Sequence, residues 1–363
     1  MKQTLIRTAA AILAAVLLYP GHAHGISAQK AIVVDGQTGR VIYEKNADEK
    51  SLIASTTKIM TALLICEQCN VLDRMRIPKE AVGIEGSSMY LQEGEVLVIQ
   101  ELLYGMMLSS GNDAATALAI YCGGTVECFA ELMNDKARML GMTNSHFVNP
   151  HGLDAPDHYS TARDLAILAE YAMQNPIFAQ TVGTKTVRVT GRSLQNHNKL
   201  LWLLDGADGV KTGYTKAAGR ILVSSASRCG RRVICVTIHA PNDWADHQKL
   251  LLNALSAYTP VDIVSCGDVM GQLAVFGGQN EAVRLLAAEN FSYALAEGEE
   301  VTIALSQKEF TYAPVAAGGD AGYAYICVDG RAVGKVKVVY ETTVEQTVPE
   351  RKPFWDRIFG GKQ

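Results

Sequence analysis

The segment Ser55-Thr-Thr-Lys58, running on into Ile59-Met-Thr-Ala-Leu-Leu64, decides how the rest of the chain is read. Ile59, Met60, Leu63 and Leu64 recur at helical spacing, so Ser55 is expected to open an apolar helix. A serine and a lysine at i and i+3 then leave one face, roughly 5–6 Å apart at Cβ. At that separation a lysine can take the proton of a hydroxyl nucleophile. The spacing alone carries little weight, because a second SxxK, Ser27-Ala-Gln-Lys30, stands ahead of a strand and opens no helix. A lysine acts as a base only when neutral, so burial and a second nearby cation must push its pKa down.

Two later motifs supply what the first lacks. Ser110-Gly-Asn112 falls between helical stretches, where Ser110 can relay a proton and Asn112 can hold an amide. Lys211-Thr-Gly213 ends a strand-like run. Lys211 is a candidate for the second cation, and Lys211 and Thr212 can hold a carboxylate by charge-assisted hydrogen bonds. Gly213 leaves room for a substrate backbone. The helix start at Ser55 contributes positive potential, and its free backbone N–H, with that of Tyr214, can face a developing oxyanion.

Around these motifs the periodicity changes twice. Residues 31–35 and 40–43 read as a hairpin closed by Gly36-Gln-Thr-Gly39. A mostly helical stretch follows, with a helix expected from Ser160-Thr161 to about Met173, ahead of Pro176. Residues 185–190, 209–212, 220–226 and 232–238 read as strands, and 244–258 as a helix. Strands at both ends of a helical insert predict one sheet with helices packed on it, an α/β fold of the α+β type spanning residues 28–258. From Thr259-Pro260 short apolar runs alternate with glycine-rich turns, and residues 325–328 and 335–340 flank a hairpin at Asp329-Gly330. A second, all-β domain is expected over 259–348, with no residue set that suggests catalysis.

Composition bounds the function. Hydrophobic residues are 48% and charged residues 19%, which excludes a disordered or coiled-coil chain. A net charge of −4 gives no footprint for nucleic acid. Lys2 and Arg7 precede an uncharged stretch, Thr8 to Tyr19, too short for a span of roughly 20 residues. Residues 1–23 therefore read as a secretory signal cleaved between about 23 and 28, and losing those two cations takes −4 to −6. The chain is expected outside the cytoplasm. Its tail, 349–363, carries Phe354, Trp355, Ile358 and Phe359, and reads either as a short membrane-associating segment or as a frayed end. Export permits disulfides among the 8 cysteines. Cys66 and Cys69 form a CxxC, read as a redox or metal pair or as two small apolar side chains, and no second CxxC or His pair completes a metal site. Cys229 and Cys235 are placed to face each other across a hairpin. His151 and His158 read as loop hydrogen-bond groups, and Asn196, His197 and Asn198 as cleft or turn residues.

SxxK, SxN and KTG in this order resemble the penicillin-binding proteins and serine β-lactamases. The flanks Ala54-Ser-Thr-Thr-Lys-Ile-Met-Thr61, Ser109-Ser-Gly-Asn-Asp-Ala-Ala115, Phe147-Val-Asn-Pro-His-Gly-Leu153 and Asp208-Gly-Val-Lys-Thr-Gly-Tyr-Thr215 look like low-molecular-mass D-alanyl-D-alanine carboxypeptidases. The resemblance covers about residues 28–258, and the remainder is similar to that family's C-terminal domain. It implies a mostly antiparallel sheet between helical layers. It implies removal of the terminal D-alanine from peptidoglycan stem pentapeptides through an acyl-enzyme on Ser55, stable acylation by β-lactam antibiotics, no cofactor and no metal, and action at the cell wall or the outer face of the cytoplasmic membrane. Tyr214 stands where some relatives carry His. The segment Ala240-Pro-Asn-Asp-Trp-Ala-Asp-His247 lacks an arginine that some members use near the substrate carboxylate, for which Arg220 is the substitute considered. The familiar β-lactamase reading needs a glutamate between SxN and KTG, and residues 141–169 contain none. An endopeptidase acting on cross-links and a catalytically silent penicillin-binding receptor remain the alternatives.

Overall fold

The computed structural model describes residues 25–347, so the expected signal segment and the tail from 349 onward lie outside the described residues. β1 (Lys30–Asp35) turns through 36–39 into β2 (Val41–Lys45). The Asp35 carboxylate fixes that turn by accepting the N–H groups of Gln37 at 3.1 Å and Thr38 at 3.0 Å. Its other oxygen meets the buried Arg231 Nε at 2.6 Å, so the turn is also tied to the neighbouring strand of the sheet, which comes much later in the chain.

The chain then leaves the sheet for the helical layer. A 3-10 turn, Ala54–Thr57, runs into α1 (Lys58–Gln68). A two-stranded ribbon of β3 (Arg74–Arg76) and β4 (Val96–Val98) leads into α2 (Ile99–Leu108), α3 (Asn112–Gly123), α4 (Val126–Met139), α5 (Ala162–Ala172) and α6 (Pro176–Gly183). The helix starts follow local chemistry. Thr161 Oγ1 accepts the Asp164 N–H at 3.0 Å, and Asn175 Oδ1 accepts from Ile177 and Phe178 ahead of a proline in the first turn. β5 (Thr186–Val189) and β6 (Arg192–Gln195) pair only with each other, so the strand expected over 185–190 lies off the main sheet and finds a partner that the sequence reading does not include. α7 (Leu200–Leu203) precedes the three long strands β7 (Ala207–Thr215), β8 (Gly219–Arg228) and β9 (Arg231–Ile238), and α8 (Asp243–Ala257) follows them.

The main sheet is antiparallel throughout, in the order β2-β1-β9-β8-β7. Residues alternate between its faces. Ile32, Val34, Ile221, Val223, Ile234 and Val236 join the core of helices α1–α6. Val33, Leu222, Val233 and Cys235 pack under Leu250, Leu251 and Ala254 of α8. The sheet is thus packed between helical layers, and β7 and β2 are its edges. Cys229 and Cys235 do not face each other. Cys229 sits in the β8–β9 turn itself at φ 51, beside Gly230 at φ 78, and Cys235 pairs with Ser224 within the sheet.

The C-terminal region is all β. It comprises β10 (Tyr258–Val264), β11 (Val269–Phe276), β12 (Ala282–Ala287), β13 (Phe291–Ala296), β14 (Val301–Ser306), β15 (Phe310–Tyr312), β16 (Asp320–Val328) and β17 (Arg331–Tyr340). Six strands form one sheet, in the order β14-β16-β17-β12-β11-β15, while β10 and β13 pair separately. Asp329 and Gly330 both have positive φ, which suits the tight turn between β16 and β17. Arg40 links this region to the main sheet, donating to Ala294 O at 2.6 Å and to Glu299, with its guanidinium 4.4 Å from the Tyr258 ring centre.

Candidate active site

α1 is buried from Lys58 to Ile65 on every side, which makes it the central helix of its layer. That burial decides the chemistry of its first residue. Lys58 is 0% exposed, and its Nζ lies 3.1 Å from Ser55 Oγ, 2.7 Å from Asn112 Oδ1 and 2.6 Å from His151 O. None of the three partners is a carboxylate. Burial first, and then the Lys211 cation, hold Lys58 well below the usual lysine range, with the Asp113 carboxylate opposing them. In its neutral form Lys58 donates to two of its partners and can accept the Ser55 hydroxyl proton with its lone pair.

Ser55 lies within the 3-10 turn and not at the start of the α-helix, which begins at Lys58. Ala54, beside it, has φ 45, a left-handed value that a non-glycine residue adopts only when its surroundings enforce it. Two glycines enforce it here. Gly152 has φ +88, and a Cβ there would fall 1.9 Å from Ala54 O. A Cβ on Gly213 would fall 3.1 Å from Ile53 O and 3.2 Å from Thr56 N. Gly213 therefore admits the chain's own serine-bearing turn against β7, a use that the substrate-backbone expectation does not include.

The alternation of β7 divides the KTG motif. Lys211 and Gly213 face the helical layer, and Thr212 and Tyr214 face the opposite side together with Arg220, which pairs with Tyr214 across β8. Lys211 is 1% exposed, and its Nζ donates to Ser110 Oγ at 3.1 Å and to Thr212 O at 2.9 Å. Burial brings it down to about 7. Its contacts here are the Ser110 hydroxyl and the carbonyl of its own strand, and it is not among the residues that line the cleft. Asn112 is placed likewise. It is the first residue of α3, and its amide is spent on Lys58 and on Glu85 O, at 2.5 Å, away from the cleft. Ser110, at φ 62 between α2 and α3, does reach the cleft.

The cleft has a volume of about 900 Å³ and is lined by Ser55, Ser110, Thr212, Tyr214 and Arg220, with Trp202 and Trp244 among its apolar lining. Arg220 Nη2 is held by Asp243 at 3.0 and 2.9 Å, and the guanidinium stands 5.8 Å from the Trp244 ring. Asn196 and His197 also line it, and Asn196 and Asn198 donate to the backbone carbonyls of Val182, Thr184 and Gly209.

The loop before α5 contributes more than its sequence declares. Asn149 Oδ1 accepts the N–H groups of His151 at 3.3 Å and Gly152 at 2.7 Å, closing a turn that aims the His151 carbonyl at Lys58 and the Pro150 carbonyl at Thr61 Oγ1, 2.6 Å away. His158 accepts the Val148 N–H on Nδ1 at 3.1 Å, so Nε2 carries the proton and donates to Thr57 Oγ1 at 2.8 Å. Burial takes His151 down to about 3 and His158 to about 4, so both imidazoles are neutral props of the turn. An Asn followed by Pro-His-Gly is a turn signal that marks such a loop but not its target. Among the described residues, no three His, Cys, Asp or Glu side chains gather at a point that could hold a metal ion.

Comparison with known proteins extends this picture over most of the chain. The profile of the D-alanyl-D-alanine carboxypeptidase family matches residues 20–242, and that of the penicillin-binding protein 5 C-terminal domain matches residues 258–346. D-alanyl-D-alanine carboxypeptidase DacF of Bacillus subtilis is 33% identical over 327 residues, covering 86% of this chain and 84% of its own. DacC of Escherichia coli is 32% identical over 345 residues, covering 89% and 86%. Among solved structures, penicillin binding protein 5 from Haemophilus influenzae superposes with a TM-score of 0.80 at 28% identity, over 89% of this chain and 98% of its own. A mutant of the Streptomyces K15 DD-transpeptidase superposes with a TM-score of 0.61 at 35% identity, over 63% and 97%.

Proposed function

The chain belongs to the D-alanyl-D-alanine carboxypeptidase family and is a serine-type hydrolase of that specificity; from this premise we propose that Ser55 is the nucleophile and Lys58 its base. The observation that carries the assignment is the wholly buried Lys58 Nζ at 3.1 Å from Ser55 Oγ, with no carboxylate among its partners. A lysine so placed is neutral often enough to take a proton at neutral pH.

In the proposed reaction Ser55 Oγ attacks the carbonyl carbon of the D-Ala–D-Ala bond of a peptidoglycan stem peptide while its proton passes to Lys58. The oxyanion forms against the backbone N–H groups of Ser55 and Tyr214. Ser110, joined to Lys211 at 3.1 Å, relays a proton to the departing D-alanine nitrogen. Water then repeats the sequence on the acyl-enzyme with Lys58 again as base. A β-lactam follows the first half and leaves Ser55 acylated. Thr212 and Arg220 receive the substrate carboxylate, since both face the cleft and Asp243 pre-positions the guanidinium. Lys211 acts from behind, lowering Lys58 and orienting Ser110, and Asn112 positions Lys58. The reaction needs no cofactor. Its substrate lies outside the cytoplasm, which agrees with the expected leader. Among the described residues no helix is long and apolar enough to cross a membrane. The tail's peripheral membrane contact is proposed on its aromatic composition alone.

The test is the intact mass of the protein after benzylpenicillin, together with D-alanine release from a diacetyl-Lys-D-Ala-D-Ala peptide. One penicilloyl adduct on Ser55 and D-alanine release are expected, and Ser55→Ala should abolish both while the protein stays folded. D-alanine release by that variant at an appreciable rate would refute the nucleophile. An adduct without release from the wild type would favour the receptor or the cross-link-specific endopeptidase.

A further inference from the structure

We propose that residues 354–359 of the tail dock on an aromatic patch at the edge of the C-terminal six-stranded sheet. β15 is the outermost strand there, paired in parallel with β11. The register sets Ala274 against Phe310 and Phe276 against Tyr312, so three aromatic rings leave one face of the sheet. Leu273 and Val275 point the other way, into that region's core. The rings form one cluster: Phe276 meets Phe310 at 5.2 Å with the planes at 89°, and Phe310 meets Tyr312 at 5.6 Å and 88°. Phe276 is 55% exposed, Phe310 41% and Tyr312 68%. Adjacent rings left open to water in this way mark a docking surface.

The chain itself delivers the occupant. Thr347 N–H donates to Gly277 O at 2.8 Å, Gln279 N–H donates to Glu345 O at 2.9 Å, and Gln346 bridges to Gly278. The last described residue is therefore tied to the neighbour of Phe276. Beyond it Phe354, Trp355, Ile358 and Phe359 recur at i, i+1, i+4 and i+5, the spacing of one helix face. The intervening residues 348–353 span at most about 20 Å, enough to fold back on the patch and too little to leave its neighbourhood. So tethered, the tail meets the patch at an effective concentration of order millimolar, which any free partner must match.

Charge selects the tail over a lipid surface. Glu309 precedes Phe310, the Glu281 carbonyl accepts the Val275 N–H at 2.8 Å, and Glu345 stands opposite Gln279, so three exposed glutamates surround the patch, with Lys308 as the cation beside them. The ion pairs of this region, Arg40–Glu299, Arg284–Glu341 and Lys337–Asp320, use other carboxylates. The tail carries Arg351, Lys352, Arg357 and Lys362 against Glu350 and Asp356. An acidic rim attracts that segment and repels an anionic bilayer. The membrane contact proposed above would use the same four apolar side chains, so dock and membrane compete for the tail. The dock itself is independent of the catalytic residues.

The test places p-benzoylphenylalanine at 312 in the full chain, in place of the mostly exposed Tyr312. Isotopically light and heavy chains are mixed in equal parts without lipid, irradiated, digested and mapped by mass spectrometry, and a second sample holds phosphatidylglycerol vesicles. The expected product joins residue 312 to the segment 354–359 of the same chain. Trp355→Asp removes the largest anchor, so in that background the product should fall about 10-fold. Without the label, the backbone amides of 310–313 should exchange about 10-fold faster in Trp355→Asp than in the wild type. A light–heavy link, links to lipid with none to the tail in the lipid-free sample, no link at all, or unchanged exchange in Trp355→Asp would each overturn the proposal.

Discussion

Replacing Gly152 by alanine tests whether the loop before α5 sets the geometry of Ser55. The new methyl would lie 1.9 Å from Ala54 O, 2.4 Å from Ala54 C and 2.8 Å from Thr57 Oγ1. Two of these atoms are backbone, so no side chain can rotate away. Restoring ordinary contact requires the turn and the loop to part by more than about 1 Å, and misplacement on that scale costs about 10²-fold in a positioned reaction, near 2.7 kcal/mol. The conformational cost is separate. Gly152 sits at φ +88, where alanine loses about 1 kcal/mol. Gly141 isolates that component, because it has φ +75 and nothing within 4 Å of a built Cβ. Both variants should therefore lose stability, and Gly152→Ala alone should lose acylation. The assay is the second-order rate of labelling by a fluorescent penicillin beside a thermal melt of each variant. Gly152→Ala should be slowed about 100-fold and Gly141→Ala by less than about twofold. Wild-type labelling by Gly152→Ala, with a melting loss no greater than that of Gly141→Ala, would refute the claim that this close approach positions Ser55.

Three further outcomes follow from the site and the core. Lys211→Met removes the cation that lowers Lys58, so the Lys58 pKa rises and the acidic limb of the acylation–pH profile should move to higher pH; an unmoved limb would remove Lys211 from that role. Arg220→Ala should raise KM for the D-Ala-D-Ala peptide about 10-fold with a smaller change in kcat, as steady-state kinetics will read, and an unchanged KM would point to another carboxylate partner. His247 is wholly buried against Ser224 Oγ at 2.5 Å and Thr237 Oγ1 at 2.8 Å, and burial takes it down to about 3. An unfolded histidine titrates near ~6.5, so the stability this neutral imidazole contributes is complete above that pH and drains as pH falls toward the folded value, by about 2 kcal/mol near pH ~5. Melting curves of His247→Gln should fall less steeply with acid than those of the wild type, and parallel curves would contradict this.

The fold is legible in the sequence where its elements carry their own local reasons. The cap at Thr161 and the turn at Asp329-Gly330 both announce themselves, because a side-chain oxygen or a positive φ is a property of a few adjacent residues. The strands β7 to β9 are legible for the same reason, being rich in branched residues and bounded by turns. β5 misleads. Its residues have strand character, but which sheet it joins is settled by distant packing that no local pattern encodes. Cys229 and Cys235 mislead in a simpler way. Counting residues across a hairpin assumes a turn between them, and Cys229 is the turn.

The site divides along the same line, and the division explains its design. Ser55, Lys58, Ser110 and Lys211 are named by three short motifs, since nucleophile, base and relay must each be a particular residue type. Whether Lys58 can be a base depends on its surroundings, and those are held by groups without a motif's chemistry. They are the backbone carbonyl of His151 and the missing side chain of Gly152. A carbonyl in place of a carboxylate matters most. It satisfies an N–H of Lys58 without supplying the full negative charge that would restore the ammonium, so the lysine is both solvated by the protein and kept weakly charged. Replacing that carbonyl with an anion would keep every distance and remove the base. The sequence of residues 147–153 cannot declare this function because a backbone atom performs it, and only the turn closed by Asn149 brings that atom within 2.6 Å of Lys58.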